Sequence, residues 1–181
     1  MPIEIEKKYR LTQAQAAELG RRLEAIGAVS SGSDFEVNTL YSSPTVDLDG
    51  AVLRLRRINN QGILTFKKRF PSASPIKRQL EEETAITDAD SMHRILERLG
   101  FKPSLLYEKR RATWQYQATE IAIDELPFGW FMEIEGEELD IEEVERAIAS
   151  DGLVAEDATY PALTRQHGIL IGEVIVARFH S

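Results

Sequence analysis

The sequence predicts an α+β fold in which a β-barrel turns charged strand faces inward to a wet lumen and apolar faces outward beneath amphipathic helices. Three observations lead there. Strand-like segments repeatedly place like-signed charges two residues apart, opposite aliphatic residues. Short segments of helical spacing, each stopped by a glycine, separate groups of these strands. The inward charges divide into an acidic and a basic set that nearly balance.

The elements follow in order along the chain. The first strand sets Glu4, Glu6 and Lys8 on one face, opposite Ile3, Ile5 and Tyr9. From about Thr12, an N-cap residue type, the helical positions Ala17, Leu19, Leu23 and Ile26 run to Gly27. Phe35 to Tyr41 is a strand ahead of Pro44. Asp49-Gly50 leads into a strand over 51–58, and Asn59-Asn60-Gln61-Gly62 is a hairpin connection to a strand over 63–69. Pro71 to Pro75 is a loop before a strand over 77–85. A second helix begins near Thr87 or Asp88 and carries Met92, Ile95, Leu96 and Leu99 to Gly100. Strands over 106–116, 120–125 and 130–135 come next, the last two joined through Pro127-Phe128-Gly129. Asp140 and Glu143 have capping-box spacing and open a third helix through Val144, Ala147 and Ile148 to Gly152. A fourth starts at Thr159 with Pro161 in its first turn. No linker divides the chain, so a single domain is expected over 1–181, its core at about 3–168 and 169–181 a packing extension.

Composition excludes several functions. With 22 Lys plus Arg against 30 Asp plus Glu, the net charge of −8 opposes general binding to nucleic acid or to an anionic membrane. An anion binder of this composition needs a pocket. The absence of cysteine removes disulfides, thiol nucleophiles, Cys-ligated zinc and iron–sulfur clusters. The charged run Glu4 to Lys8 does not suit a signal peptide, and no apolar stretch is long enough for a membrane span, so a cytoplasmic enzyme or binding protein is expected. No P-loop, G-x-G-x-x-G or nucleophile elbow occurs. His93, His167 and His180 are read as surface or packing residues.

The charged faces carry the chemistry. Alternation groups Arg54 with Arg56, Thr65 with Lys67, Glu81 with Glu83, Lys109 with Arg111, Ala122 with Asp124, and Glu133 with Glu135. On a single strand such a face is simply solvated. Repetition of like-signed pairs is different, because like charges at this spacing repel unless something of opposite sign lies between them. A dry interior is excluded on magnitude: moving one ion out of water costs several kcal/mol, against about 5–15 kcal/mol for a whole domain. A wet, closed barrel accommodates them. Glu4, Glu6, Glu81, Glu83, Asp124, Glu133 and Glu135 supply oxygen donors for a hard divalent cation, Mg²⁺ or Mn²⁺. Lys8, Arg54, Arg56, Lys67, Lys109 and Arg111 are what a polyphosphate needs.

The opening Glu4-Ile5-Glu6-Lys7-Lys8 has the form E-x-E-x-K. It is followed in order by Leu53-Arg54-Leu55-Arg56, Leu64-Thr65-Phe66-Lys67, Glu81-Glu82-Glu83, Tyr107-Glu108-Lys109-Arg110-Arg111, Ile123-Asp124-Glu125, Glu133-Ile134-Glu135-Gly136 and Thr159-Tyr160-Pro161. This set resembles the CYTH superfamily, the triphosphate tunnel metalloenzymes named for class IV adenylate cyclase and thiamine triphosphatase. The resemblance implies an eight-stranded antiparallel tunnel with Mg²⁺ or Mn²⁺ on the inward acids and a triphosphate on the inward cations. It further implies that Glu4, Glu6 and Lys8 form the catalytic group, with Lys8 beside the metal. The expected substrate is a small-molecule triphosphate (tripolyphosphate, ATP or thiamine triphosphate) handled by a monomer or homodimer, with neither nucleic acid nor membrane as partner. Departures from the family pattern are Ser42-Ser43 where a carboxylate is common, Gln79 where an arginine often stands with Lys77 two residues earlier, and Thr159 for a serine.

Hydrolysis needs only the features seen, so a triphosphatase is the expected activity. The alternative is a cyclase converting ATP to cyclic AMP and pyrophosphate, which also needs an adenine pocket. A non-catalytic polyphosphate-binding module is the alternative outside enzymes.

Overall fold

The computed structural model describes residues 3–59, 61–71, 75–150 and 152–180. Its strands are β1 (Ile3–Leu11), β2 (Val29–Ser42), β3 (Val52–Ile58), β4 (Gln61–Arg69), β5 (Ile76–Ile86), β6 (Lys102–Tyr116), β7 (Thr119–Leu126), β8 (Gly129–Glu135), β9 (Val154–Ala155), β10 (Ile169–Ile171) and β11 (Val174–Ala177). The helices are α1 (Gln13–Ala25), α2 (Ala89–Arg98), α3 (Glu138–Ala147) and α4 (Tyr160–His167).

Eight of the strands form a closed antiparallel ring in the order β6-β2-β3-β4-β5-β1-β8-β7, shut by pairing of β7 with β6. The outward faces are apolar, as the alternation requires. Ile5, Tyr9 and Leu11 of β1, with Ile121, Ile123, Met132 and Ile134, pack beneath Leu19 and Leu23 of α1 and Ile141 and Val144 of α3. Tyr41 and Leu55 pack beneath Leu96 of α2. α1, α2 and α3 thus shield outward aliphatic residues, but α4 does not follow the expectation of helices outside the barrel: its Tyr160 and Leu163 pack against Leu40, Leu105, Tyr107, Leu126 and Phe131, which share the inward parity of the charged residues. No helix is long and apolar enough to cross a membrane among the described residues.

Thr12 and Thr159 cap α1 and α4 as expected, Thr12 also forming a complete capping box with Gln15, and of the two starts expected for the second helix Asp88 is the cap. The third start differs. The N-cap of α3 is Glu137, without a side-chain cap bond, and Asp140 lies inside the first turn. The reason lies in the preceding turn: the Gly136 N–H bonds Ile5 O at 3.1 Å, and a Cβ there would sit 2.8 Å from Thr119 Cγ2. This close approach turns the chain immediately after β8, so the helix begins earlier, with Glu138 and Asp140 favouring its N-terminal dipole.

β2 and β6 are longer than predicted because they pair with each other from Val29–Gln115 to Ser42–Lys102, through register shifts at Ser30/Gly32 and Leu40/Tyr41. The 59–62 connection is tighter than predicted, since Gln61 and Gly62 already pair with Ile58 and Arg57. Asn60 of that connection and residues 72–74 of the 71–75 loop lie outside the described residues, as do residues 1, 2 and 181 of the expected domain. The 169–181 extension adds the β10–β11 hairpin, and β11 runs parallel to β6 at Leu105–Tyr107.

Candidate functional site

The ring order divides the lumen into two walls. β5, β1 and β8 are consecutive and carry Glu81, Glu83, Glu4, Glu6, Glu133 and Glu135. β6, β2, β3 and β4 form the facing arc and carry Lys109, Arg111, Arg54, Arg56 and Lys67. All of these, with Lys8 of β1, line one cavity of about 910 Å³. The strand-alternation reading therefore places these residues correctly with respect to the lumen.

Charges of opposite sign meet across and along these walls. Lys67 Nζ lies 2.7 Å from Glu4 Oε2 and 2.7 Å from Glu81 Oε2. Arg54 Nη2 is 3.9 Å from both Glu81 Oε1 and Glu83 Oε2 and donates to Thr65 Oγ1, which donates to Glu83 Oε2 at 3.0 Å. Arg111 Nη2 lies 2.5 Å from Glu133 Oε2. Lys8 Nζ sits 3.7 Å from Glu133 Oε1 and 4.1 Å from the centre of the Tyr160 ring.

Asp124, expected among the metal donors, is placed differently from the other acids. It is fully buried and does not line the cavity. Its Oδ1 accepts from Arg111 Nε at 2.8 Å; its Oδ2 accepts from Arg111 Nη2 at 2.6 Å and Tyr160 Oη at 2.7 Å, with Lys109 Nζ at 3.4 Å. Asp124 anchors two cations of the basic wall. Strand alternation cannot separate an acid on the cavity surface from one beneath a cation.

Some residues of the site escape a search for like-charged pairs. Glu36 is buried on the inner face of β2, 3.4 Å from Lys109 Nζ and 3.6 Å from Arg56 Nε. As a lone acid beside Asn38 it carried no pair signal, although alternation with Asn38 could have placed it. Lys77 lies under the acidic wall, 3.6 Å from Glu6 Oε1, and donates to the Glu156 carbonyl at 3.2 Å. Burial, reinforced by Lys8, lowers its pKa to about 8.

Burial and crowding raise some acids and cations hold others down. Burial, then Glu4, pushes Glu135 up to about 7, and burial with Glu133 raises Glu6. For Glu133 and Glu36 burial also acts to raise the carboxyl but is overcome. Arg111, Lys8 and Lys109 hold Glu133 well below the usual carboxylate range, and Lys109 and Arg56 do the same for Glu36.

A divalent cation is a chemical fit to the acidic wall. The donors are all carboxylate oxygens on three adjacent strands, Glu6 and Glu135 are direct register neighbours, and buried Glu4 Oε2 makes no hydrogen bond despite the nearby Lys67 charge. No three acidic or histidine side chains among the described residues are already gathered closely enough to hold an ion. The carboxylates are drawn instead to lysine and arginine partners.

A CYTH domain match spans residues 2–158. The chain belongs to the CYTH family. Curated protein sequences gave no match. Among solved structures, a Pyrococcus horikoshii protein is 22% identical with a TM-score of 0.75, covering 87% of this chain and 96% of its own. A proposed adenylate cyclase from Vibrio parahaemolyticus is 25% identical with a TM-score of 0.69, covering 87% of this chain and 95% of its own. A Hippeastrum protein, described as a proposed adenylyl cyclase with dominant triphosphatase activity, is 20% identical with a TM-score of 0.69, covering 92% of this chain and 97% of its own. The CYTH match stops before α4, whose Thr159, Tyr160, Pro161 and Arg165 nevertheless line the cavity.

Proposed function

We propose that this CYTH protein hydrolyses a linear triphosphate, inorganic tripolyphosphate or an organic triphosphate, with Mg²⁺ or Mn²⁺. The observation that carries this reading is the facing of an acidic and a basic wall across one cavity of about 910 Å³. That volume suits a small ligand. The description of the Hippeastrum protein as dominantly a triphosphatase supports the same direction.

Arg54, Arg56, Lys67, Lys109 and Arg111 bind and orient the phosphate chain, the guanidinium groups by paired N–H donors and the lysines as point charges. Glu4, Glu6, Glu81, Glu83, Glu133 and Glu135 would hold the divalent cation, which when bound neutralises phosphoryl oxygens and lowers the pKa of water. Asp124 and Glu36 fix the basic wall from behind, so the cations are oriented before substrate arrives. Lys8, held between Glu133 and the Tyr160 ring, is placed to neutralise charge beside the acidic wall. Glu6 and its register neighbour Glu135, both lining the cavity, are the wall's candidates for orienting the attacking water. Such positioning and electrostatics suffice for phosphoryl transfer, which requires little covalent help from protein.

The test is incubation with tripolyphosphate, ATP and thiamine triphosphate under Mg²⁺ and Mn²⁺, following phosphate release and cyclic AMP. Phosphate release is expected. Exclusive formation of cyclic AMP would establish cyclisation instead, the reading that the Vibrio likeness favours. Tight binding without turnover at any metal concentration would leave a polyphosphate-binding module.

A further inference from the structure

The cavity has two arginines that the two-walled site does not use. Arg69, at the end of β4, and Arg165, on α4, line it, as do Val52 of β3 and Pro161 of α4. Every cation of the basic wall has a carboxylate within ion-pair range, but these two do not among the described residues. Among the described residues Arg69 donates only to the Asp157 carbonyl, at 3.3 Å, and the nearby Glu156 is taken by Arg10 at 2.9 Å. Arg165 has no polar partner among the described residues.

The neighbouring strand loses its acids at the same place. Glu81 faces Lys67 in the β4–β5 register, but Gln79 faces Arg69. Inward positions on β4 continue Thr65, Lys67, Arg69, with about 7 Å between successive ones. A phosphate chain held at Arg54 and Lys67 can therefore run on toward α4 past an amide rather than a carboxylate. Arg165 itself stands outside both the residues 2–158 that match the family and the motif residues that carry the resemblance.

We propose that Arg69 and Arg165 form an additional anion subsite at the α4 end of the tunnel. It takes a phosphate group beyond the third, so that linear tetraphosphate and longer chains are preferred over tripolyphosphate. Unpaired guanidinium forks in a concave site recognise a phosphoryl group by paired N–H donors, and neither arginine has to give up an acid to do so. The inference rests on the triphosphate reading of the same cavity.

The experiment measures kcat/KM of the full chain for sodium tripolyphosphate and linear tetraphosphate with Mg²⁺, for wild type, Arg165→Ala and Arg69→Gln. Wild type should favour tetraphosphate by about tenfold, the size of one charge-assisted contact, and each variant should bring that ratio toward one, mainly through KM for the longer chain. Arg165 is exposed on α4, so its variant should fold, and melting curves check both. Equal preference in wild type, or a ratio unmoved in both variants, overturns the subsite. If neither substrate turns over, the hydrolytic reading fails, and calorimetric affinities for the same two anions still decide the subsite: a tetraphosphate advantage lost in Arg165→Ala supports it, and equal affinities overturn it.

Discussion

Replacing Asp124 with asparagine separates a metal donor from a structural anion. The carboxylate is fully buried and holds Arg111 through both oxygens, at 2.8 and 2.6 Å, while Tyr160 Oη donates to it at 2.7 Å. An amide keeps the shape but loses the charge that compensates Arg111 and Lys109. Breaking a buried ion pair on one side costs about 3–5 kcal/mol. Glu133 still holds Arg111 at 2.5 Å, so the lower figure applies. At roughly 2–4 °C per kcal/mol for a chain of this size, the unfolding temperature in EDTA should fall by about 6–12 °C. Tyr160→Phe removes one hydrogen bond to a charged acceptor and should cost about 1.5–3 kcal/mol. The two losses should not add, because they share the same oxygen. Thermal melts of both single variants and the double variant in EDTA make the measurement. Asp124→Asn melting like wild type in EDTA, while its Mg²⁺ requirement rises tenfold or more, would refute the structural assignment and return Asp124 to the metal donors.

Arg56→Ala and Glu133→Gln should each lower kcat/KM for tripolyphosphate by about a hundredfold or more, as loss of preorganised charge does elsewhere, with circular dichroism unchanged. Unimpaired phosphate release in either would remove that residue from the site. Glu36→Gln should give a pH-dependent loss of stability. The Glu36 carboxyl lies below its ordinary value of 4.5, because Lys109 and Arg56 outweigh burial. A depressed folded pKa stabilises above the unfolded value and ceases to do so as pH falls through the folded one. The gap in melting temperature between wild type and Glu36→Gln should thus be widest near neutrality and narrow progressively as pH falls below about 4.5; a gap constant from pH 7 to pH 3 would contradict the ion-pair origin.

The barrel was legible because its chemistry comes in pairs. Arg54 with Arg56 and Glu133 with Glu135 repeat one parity, and the aliphatic residues between them repeat the other. Two kinds of information were not in the pattern. One is depth: Asp124 and Glu135 both point inward, but only contacts with Arg111 and Tyr160 distant in sequence put Asp124 behind the wall. The other is nonlocal pairing. Ile169 to Ile171 shows no alternation, and β11 becomes a strand through parallel pairing with β6, some seventy residues away. Asp140 failed as a cap for a related reason, since contact of Gly136 with β1 and Thr119 decides where the chain turns.

The pairing inside the tunnel also constrains how ligands bind. Lys67 is shared between Glu4 and Glu81 at equal distance, so a phosphate that draws Lys67 away leaves the half-buried Glu4 without that cation and Glu81 with only the longer contact to Arg54 at 3.9 Å. Glu135, already pushed up to about 7 by burial and by Glu4, is in the same acidic crowd. Anion binding on the basic wall therefore raises the affinity of the acidic wall for a divalent cation, and by reciprocity the cation raises the affinity for the anion by the same factor. The coupling should be about 1–3 kcal/mol, or 5–150-fold. Titration of tripolyphosphate at 4 °C, with Ca²⁺ and then in EDTA, reads it directly. Lys67→Met should weaken the coupling, because the lysine no longer passes from one wall to the other. A tripolyphosphate affinity independent of the cation in wild type would mean that the two walls act separately and that Lys67 does not link them.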